Sequence, residues 1–229
     1  MNIAVLGAGI SGLGSAYILS KKHEVDLYEK DNRLGGHART TIVNDEDKTF
    51  GVDTGFLVFN HPTYPLLTKL FEQLNVKIEN SDMSFAFWDR DNNRAYNGSS
   101  LKGMFAQKRN FFSITNYKMI KDILTFNETA IKDLKENNSN LDKNLGEYIK
   151  NYSKAFKERY LLPMGAAIWS TPSNEMNLFP ARTFLTFFKN HGLLGVSSHH
   201  QWLTVSNGSI NYVNKIKEQI SGKIFLNSD

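Results

Sequence analysis

The sequence predicts an α/β fold: a parallel βαβ unit opens the chain, a mainly helical insert fills its middle, and strand, helix and strand return at its end. Three observations carry this. Residues 1–20, MNIAVLGAGISGLGSAYILS, hold an apolar strand, a glycine-rich turn and an apolar helix without a single charge. From about Ser99 the strand texture gives way to helical periodicity, and near Trp202 the strand pattern comes back.

Taken in order, residues 3–6 read as a strand, 10–20 as a helix and 25–28 as a second strand, most simply joined as a parallel βαβ unit. Residues 38–43 and 48–52 form a hairpin across the polar turn Asn44-Asp45-Glu46-Asp47. A helical stripe of Tyr64, Leu67, Leu70, Phe71 and Leu74 marks residues 62–74. Residues 84–88 and 94–96 flank a second turn at 89–93.

The insert begins with a long helix over residues 113–136. Ile114, Tyr117, Ile120, Ile123, Leu124, Ile131 and Leu134 lie on one side of it. Its lysines alternate with Asp122, Glu128, Asp133 and Glu136, which favours a solvated face over a basic binding helix. Asn137 to Asn140 breaks it, residues 145–152 and 155–161 read as short helices, and Pro163-Met164-Gly165 interrupts the segment after them. An irregular helix covers 174–190. Then come a strand at 202–205, a turn at Asn207-Gly208, a helix at 210–220 and a strand at 223–226. The division expected is one domain from residues 1–80 with 200–229, and another from 81–199.

Composition narrows the function. The 229 residues are 41% hydrophobic and 22% charged, an ordinary globular balance that excludes collagen-like and wholly disordered chains. The length is enough for one large domain or two modest ones. A net charge of +4, from 27 Lys+Arg against 23 Asp+Glu, is too small to point to nucleic acid. The absence of Cys excludes a disulfide scaffold, a thiolate metal site, a catalytic thiol and a sulfur-tethered cofactor, and it suits a cytoplasmic setting. The uncharged start reaches the ~18-residue length of a membrane span. Gly7, Gly9, Gly12 and Gly14 interrupt it, and the positive n-region of a signal peptide is missing.

Gly7-Ala8-Gly9-Ile10-Ser11-Gly12 is GxGxxG between a strand and a helix. Gly7 permits the tight turn, Gly9 leaves room for a pyrophosphate, and Gly12 lets helix pack on strand. The helix N-terminus then offers free N–H groups and positive dipole to the phosphates. Glu29 ends the next strand, where a carboxylate accepts both hydroxyls of an adenosine ribose and repels a 2′-phosphate. This is the Rossmann fingerprint, and it fits NAD or FAD. A second pair, Gly35-Gly36, supplies another bare-backbone surface suited to the remainder of a long dinucleotide, which favours FAD.

These pieces, with Arg33-Leu34, Thr40, Val52-Asp53-Thr54-Gly55-Phe56 and residues 204–209 followed by Tyr212-Val213, resemble the flavin-containing amine oxidase superfamily. That superfamily includes protoporphyrinogen oxidases and phytoene-desaturase-like enzymes. Residues 55–60, 160–164 and 167–170 are similar to the branch associated with cyclopropane fatty acid synthase. The resemblance implies a Rossmann-like FAD-binding domain of the GR2 type with an inserted, mainly helical substrate domain. It also implies a truncated chain. The strand completing the flavin domain, a later flavin-contacting motif and the lysine many members place near flavin N5 would lie beyond Asp229.

By the same resemblance Gly7, Gly9, Ser11 and Gly12 hold the pyrophosphate with Ile10 beside them, and Glu29 holds the ribose next to Lys30. Arg33, Gly35, Gly36 and His37 line the path to the flavin, with Gly55 and Phe56 beside the isoalloxazine. His37 stands where many members carry Arg, and Asn207 where they carry Gly. The implied reaction is dehydrogenation of an apolar, lipid-linked or amine substrate with hydride transfer to flavin N5. A desaturase or isomerase of unsaturated acyl or polyene chains, and a non-catalytic dinucleotide-binding module, are the alternatives. No catalytic acid or base is assigned. Asp53 touches the ribityl chain or a nearby backbone, and His61 is a candidate for the active site. His199-His200 lacks further ligands at metal spacing, so no metal is expected. Residues 184–189, FLTFFK, are the best candidate for a lip of peripheral membrane contact, although a buried helix is the favoured reading of them.

Overall fold

The computed structural model describes residues 1–98, 100–195 and 200–228, apart from the side chain of Leu101. The chain divides into two compact units, Met1–Asp82 with Gln201–Asp229, and Met83–His200. Each has its own apolar core.

The first unit opens with β1 (Asn2–Leu6), α1 (Ile10–Leu19) and β2 (Glu24–Tyr28). β1 and β2 pair in parallel, from Asn2 opposite Glu24 to Leu6 opposite Tyr28, as the βαβ reading requires. The hairpin of β3 (Thr40–Asp45) and β4 (Lys48–Asp53) is tighter than its sequence suggests. Asn44 and Asp45 stay in the ladder, and Glu46, at φ 50, makes the turn with Asp47. α2 (Pro65–Gln73) starts three residues late because Pro65, lacking an N–H and fixed in φ, is suited to the first helical turn. Asn75 in the left-handed region closes it. β5 (Ile78–Ser81) was not expected, because only Ile78 in it is apolar.

The second unit begins with the hairpin β6 (Ala86–Asp89) and β7 (Arg94–Asn97), then the single turn α3 (Leu101–Met104) and a 3₁₀ turn over Lys108–Phe112. The long helix α4 (Ile114–Glu136) is capped by Ser113, whose hydroxyl accepts the Asn116 N–H, and is stopped by left-handed Asn137. After α5 (Leu145–Tyr148), α6 (Lys154–Phe156) runs through a π-helical turn at Lys157–Leu161 into α7 (Leu162–Trp169). The interruption expected at Pro163 therefore does not occur. The wider turn accommodates the ring, and the Arg159 carbonyl, which receives no N–H from Pro163, accepts the Tyr96 hydroxyl at 2.5 Å. Gly165 lies within α7 and leaves room for a neighbour, since a Cβ there would sit 2.9 Å from the Phe184 ring.

The irregular helix at 174–190 resolves into a 3₁₀ turn, Glu175–Leu178, and α8 (Ala181–Asn190), split at Pro180. Phe184, Leu185 and Phe188 of α8 are buried, with Phe184 and Phe188 stacked at 4.2 Å. Residues 184–189 are thus the buried helix that the sequence favours over a membrane lip. Each such ring contributes roughly 1.5–3 kcal/mol to the core of this unit instead.

The chain then returns to the first unit through β8 (Trp202–Val205), α9 (Ile210–Lys217) and β9 (Ile224–Phe225). β8 pairs antiparallel with β5 and exchanges two backbone bonds between Leu203 and Phe59. β9 adds in parallel to β2, giving the strand order β1-β2-β9. α1 packs on β1, β2 and α9. Among the described residues no helix is long and apolar enough to cross a membrane.

Candidate functional site

The chain must turn from β1 into α1 within three residues, and each glycine serves that turn differently. Gly7 adopts φ +87, and its N–H donates to the Tyr28 carbonyl at 2.7 Å, fixing the loop to β2. Gly9 caps α1 without a side chain, and a Cβ there would meet nothing within 4 Å. A Cβ on Gly12 would collide with the Gly7 carbonyl. Turn, open approach and close packing thus fall on the three glycines in the order their spacing implies. The first rung of α1 runs from the Leu13 N–H to the Gly9 carbonyl at 2.9 Å, so the N–H groups of Ile10, Ser11 and Gly12 precede the ladder. Ile10 and Ser11 are exposed, and the first turn carries no acidic residue to compete for an anion.

Glu29 directly follows β2 and is only 7% exposed. One carboxylate oxygen accepts the Ala8 N–H at 2.5 Å, the other the Asp31 N–H at 2.9 Å. Hydrogen bonds from Asp31 and then Ala8, aided by the Lys30 charge, hold its carboxyl below the usual range against the opposing effect of burial. The sequence offers both oxygens to a ribose. The structure engages one acceptor position on each with backbone, which orients the carboxylate and leaves each oxygen a further lone pair. Lys30 is exposed beside it.

The second glycine pair lies against the first. The Gly35 N–H donates to the Ala8 carbonyl at 2.8 Å, and a Cβ on Gly36 would come within 3.0 Å of Gly9 Cα. Both adopt positive φ, +107 and +56. The Arg33 guanidinium donates to the Gly36 carbonyl at 3.0 Å and braces this turn. His37 is exposed, and its carbonyl accepts the N–H of Phe56 at 3.1 Å. Gly55 is required there because a Cβ would strike that carbonyl. Phe56, half-buried, meets Tyr212 edge-on at 6.4 Å. Gly7 to Gly12, Glu29, Gly35 to His37 and Gly55-Phe56 thus form one continuous rim beyond the carboxyl ends of β1 and β2, where open α/β sheets receive ligands.

Beside the second glycine pair lies a cleft of ≈ 300 Å³, lined by Arg33, Arg39 and Lys217 together with Leu34, Val213 and Leu226. Among the described residues no acidic side chain lines it. Arg39 and Lys217 escaped the sequence reading because nothing in their spacing brings the β3 approach and α9 together. Asp53 proves to hold backbone, accepting the Ser209 N–H at 2.9 Å. His61 is exposed with its ring nitrogen 3.3 Å from the Thr68 hydroxyl of α2, a helix-pinning contact. Of the histidine pair, His199 lies outside the described residues. Among those described, no group of three His, Cys, Asp or Glu can hold a metal.

Residues 5–74 match the family of NAD(P)-binding Rossmann-like domains. A 75-residue stretch is 40% identical to a 4,4'-diapolycopen-4-al dehydrogenase of Metabacillus indicus, covering 32% of this chain and 13% of that protein. In three dimensions 99% of the chain superposes on an oxidoreductase from Methanosarcina mazei, with a TM-score of 0.60 and 18% identity over 51% of that chain. It superposes equally fully on a putrescine oxidase bound to putrescine, with a TM-score of 0.64 and 17% identity over 51% of that chain. The chain thus spans about half the length of the structures it resembles. The family match is confined to residues 5–74, and the chain as a whole shares its fold with about half of each of these two structures.

Proposed function

We propose that this chain is the FAD-binding portion of an oxidoreductase that dehydrogenates an apolar or amine substrate. The observation that carries the reading is the open position at Gly9, set between N–H groups that precede the α1 ladder and a carboxylate fixed at Glu29. These residues fit FAD: bare backbone for a pyrophosphate, an oriented acceptor for a ribose, and a second glycine turn continuing the rim. When bound, FAD would supply a hydride acceptor at its N5. The chain's own part is to seat the phosphates on α1, orient the ribose through Glu29, and present Gly55 and Phe56 at the far end of the rim. His37, exposed and lacking the fixed charge of an arginine, adds less to phosphate binding than Arg at that place would.

A second reading, desaturation or oxidation of a long polyene or acyl chain, is supported by the identity to the diapolycopenal dehydrogenase. The test is the visible spectrum of the protein expressed from the full reading frame. A yellow protein bleached anaerobically by an amine supports the first reading, and bleaching by an unsaturated lipid supports the second. A colourless protein that binds only a nicotinamide nucleotide overturns both.

A further inference from the structure

The second unit carries a surface that no part of the dinucleotide site explains. Phe112 is 90% exposed and Ile114 is 86% exposed, flanked by Phe111 at 52% and Tyr117 at 51%. These side chains are not loosely hung. The half-buried Phe105 stacks on Phe111 at 4.6 Å and meets Tyr117 at 5.5 Å, so a seated ring supports the outer ones. Ser113 between them is buried, capping α4 and receiving the Arg94 guanidinium at 2.9 Å. The fold therefore holds a large apolar tip in water where a core position would ordinarily take it in.

The surroundings say what the tip meets. Lys102, Lys108, Arg109, Lys118 and Lys121 are all exposed around it, and no Asp or Glu occurs between Asp91 and Asp122. Ile114 with Lys118, and Tyr117 with Lys121, are spaced four apart on α4 and share a face. The positive end of that helix lies at the same place. Apolar side chains that project into water, flanked along the chain by exposed Lys and Arg with no Asp or Glu from 92 to 121, match the boundary between acyl chains and anionic head groups. A nucleic acid would reward the cations and could stack on Phe112, but would leave the aliphatic Ile114 without a partner.

We infer that residues 105–121 form a docking surface for an anionic lipid bilayer, with Phe112 and Ile114 entering the acyl boundary and the flanking lysines and arginine meeting lipid phosphates. The test is co-sedimentation of the full chain with phosphatidylcholine vesicles that contain or lack phosphatidylglycerol. The expected result is partition onto the anionic vesicles, weakened by salt. Lys108→Glu with Arg109→Glu lowers that partition at least about tenfold, and Phe112→Ser with Ile114→Ser lowers it by a similar factor. All four positions are exposed, and unchanged circular dichroism of both variants confirms that folding is not what was lost. A Phe112→Trp variant gives a second readout, a blue-shifted emission on adding anionic vesicles. Three outcomes overturn the inference: a chain that stays in the supernatant with anionic vesicles, partition that neither double variant changes, or a surface whose charge variant abolishes nucleic-acid binding while vesicles are ignored.

Discussion

Asp53 and Ser209 are joined by three contacts across 156 residues of sequence. Both carboxylate oxygens of Asp53 accept the Ser209 N–H, at 3.0 and 2.9 Å, and one takes its hydroxyl at 2.8 Å. The Thr40 hydroxyl donates to the same carboxylate at 2.5 Å and accepts the Ile210 N–H at 3.0 Å. The β3–β4 hairpin is thereby fastened to the start of α9, and Gly55-Phe56 lies just past that anchor. Asp53→Ala is expected to cost about 1–3 kcal/mol. A double-mutant cycle with Ser209→Ala is expected to give a coupling of about 0.5–3 kcal/mol in urea unfolding. Simple additivity would show that the network does not act as one.

Two glycines of the loop, Gly9 and Gly12, separate binding from folding. Gly12→Ala drives a methyl into the Gly7 carbonyl and is expected to destabilise the chain by at least about 1–3 kcal/mol. Gly9→Ala meets no atom and has an ordinary φ of −70, so thermal unfolding should hardly change. Its methyl occupies the space a pyrophosphate needs. Calorimetric dinucleotide binding should therefore fall at least about tenfold without a change in Tm.

Glu29 makes stability depend on acid. Its folded carboxyl lies below the ordinary range, because the Asp31 and Ala8 N–H groups favour the charged form. Its contribution is therefore present above the unfolded carboxyl's value of about 4.3 and is lost as pH falls through the lower folded value. Glu29→Gln should cost about 1–3 kcal/mol at neutral pH. The gap to the parent chain should close in acid unfolding curves. A gap that widened in acid would reverse the sign.

Tyr96 serves the helical run at a distance of 63 residues, its hydroxyl occupying the Arg159 carbonyl that Pro163 leaves without an N–H. Tyr96→Phe should destabilise by about 1–3 kcal/mol. Combining it with Pro163→Ala should remove much of that effect, since the alanine N–H can reach the same carbonyl. Equal losses in both backgrounds would show that the hydroxyl does not substitute for the missing N–H.

Much of this was legible in the sequence where local chemistry decides. The GxGxxG spacing, Ser113 before a long amphipathic stripe, and Asn207-Gly208 with φ of 60 and 95 each announce their own geometry. What escaped depended on distant partners. β5 is polar apart from Ile78 and exists because β8 pairs with it. Pro163 reads as a breaker unless Tyr96 is known to be opposite. The phenylalanines of α8 and the pair at Phe111-Phe112 look alike in composition, yet the first pack inward and the second stand out. Phe184 and Phe188 are four apart on one helix face, whereas Phe111 and Phe112 are adjacent in a 3₁₀ turn, and packing decides which rings are covered. That the Arg33 guanidinium braces the second glycine turn through the Gly36 carbonyl likewise shows only in the folded chain.

On the proposed reading, the α1 loop and Glu29 hold the adenosine diphosphate portion of FAD. Calorimetric titration of the 229-residue chain with FAD, with NADP⁺ as the comparison and Gly9→Ala as the control, puts this to the sharpest test. Saturable FAD binding is expected, lost in Gly9→Ala at unchanged Tm. No binding of NADP⁺ is expected, because its 2′-phosphate faces the Glu29 carboxylate. Binding of NADP⁺ in preference to FAD, or FAD binding indifferent to Gly9→Ala, would rule the reading out.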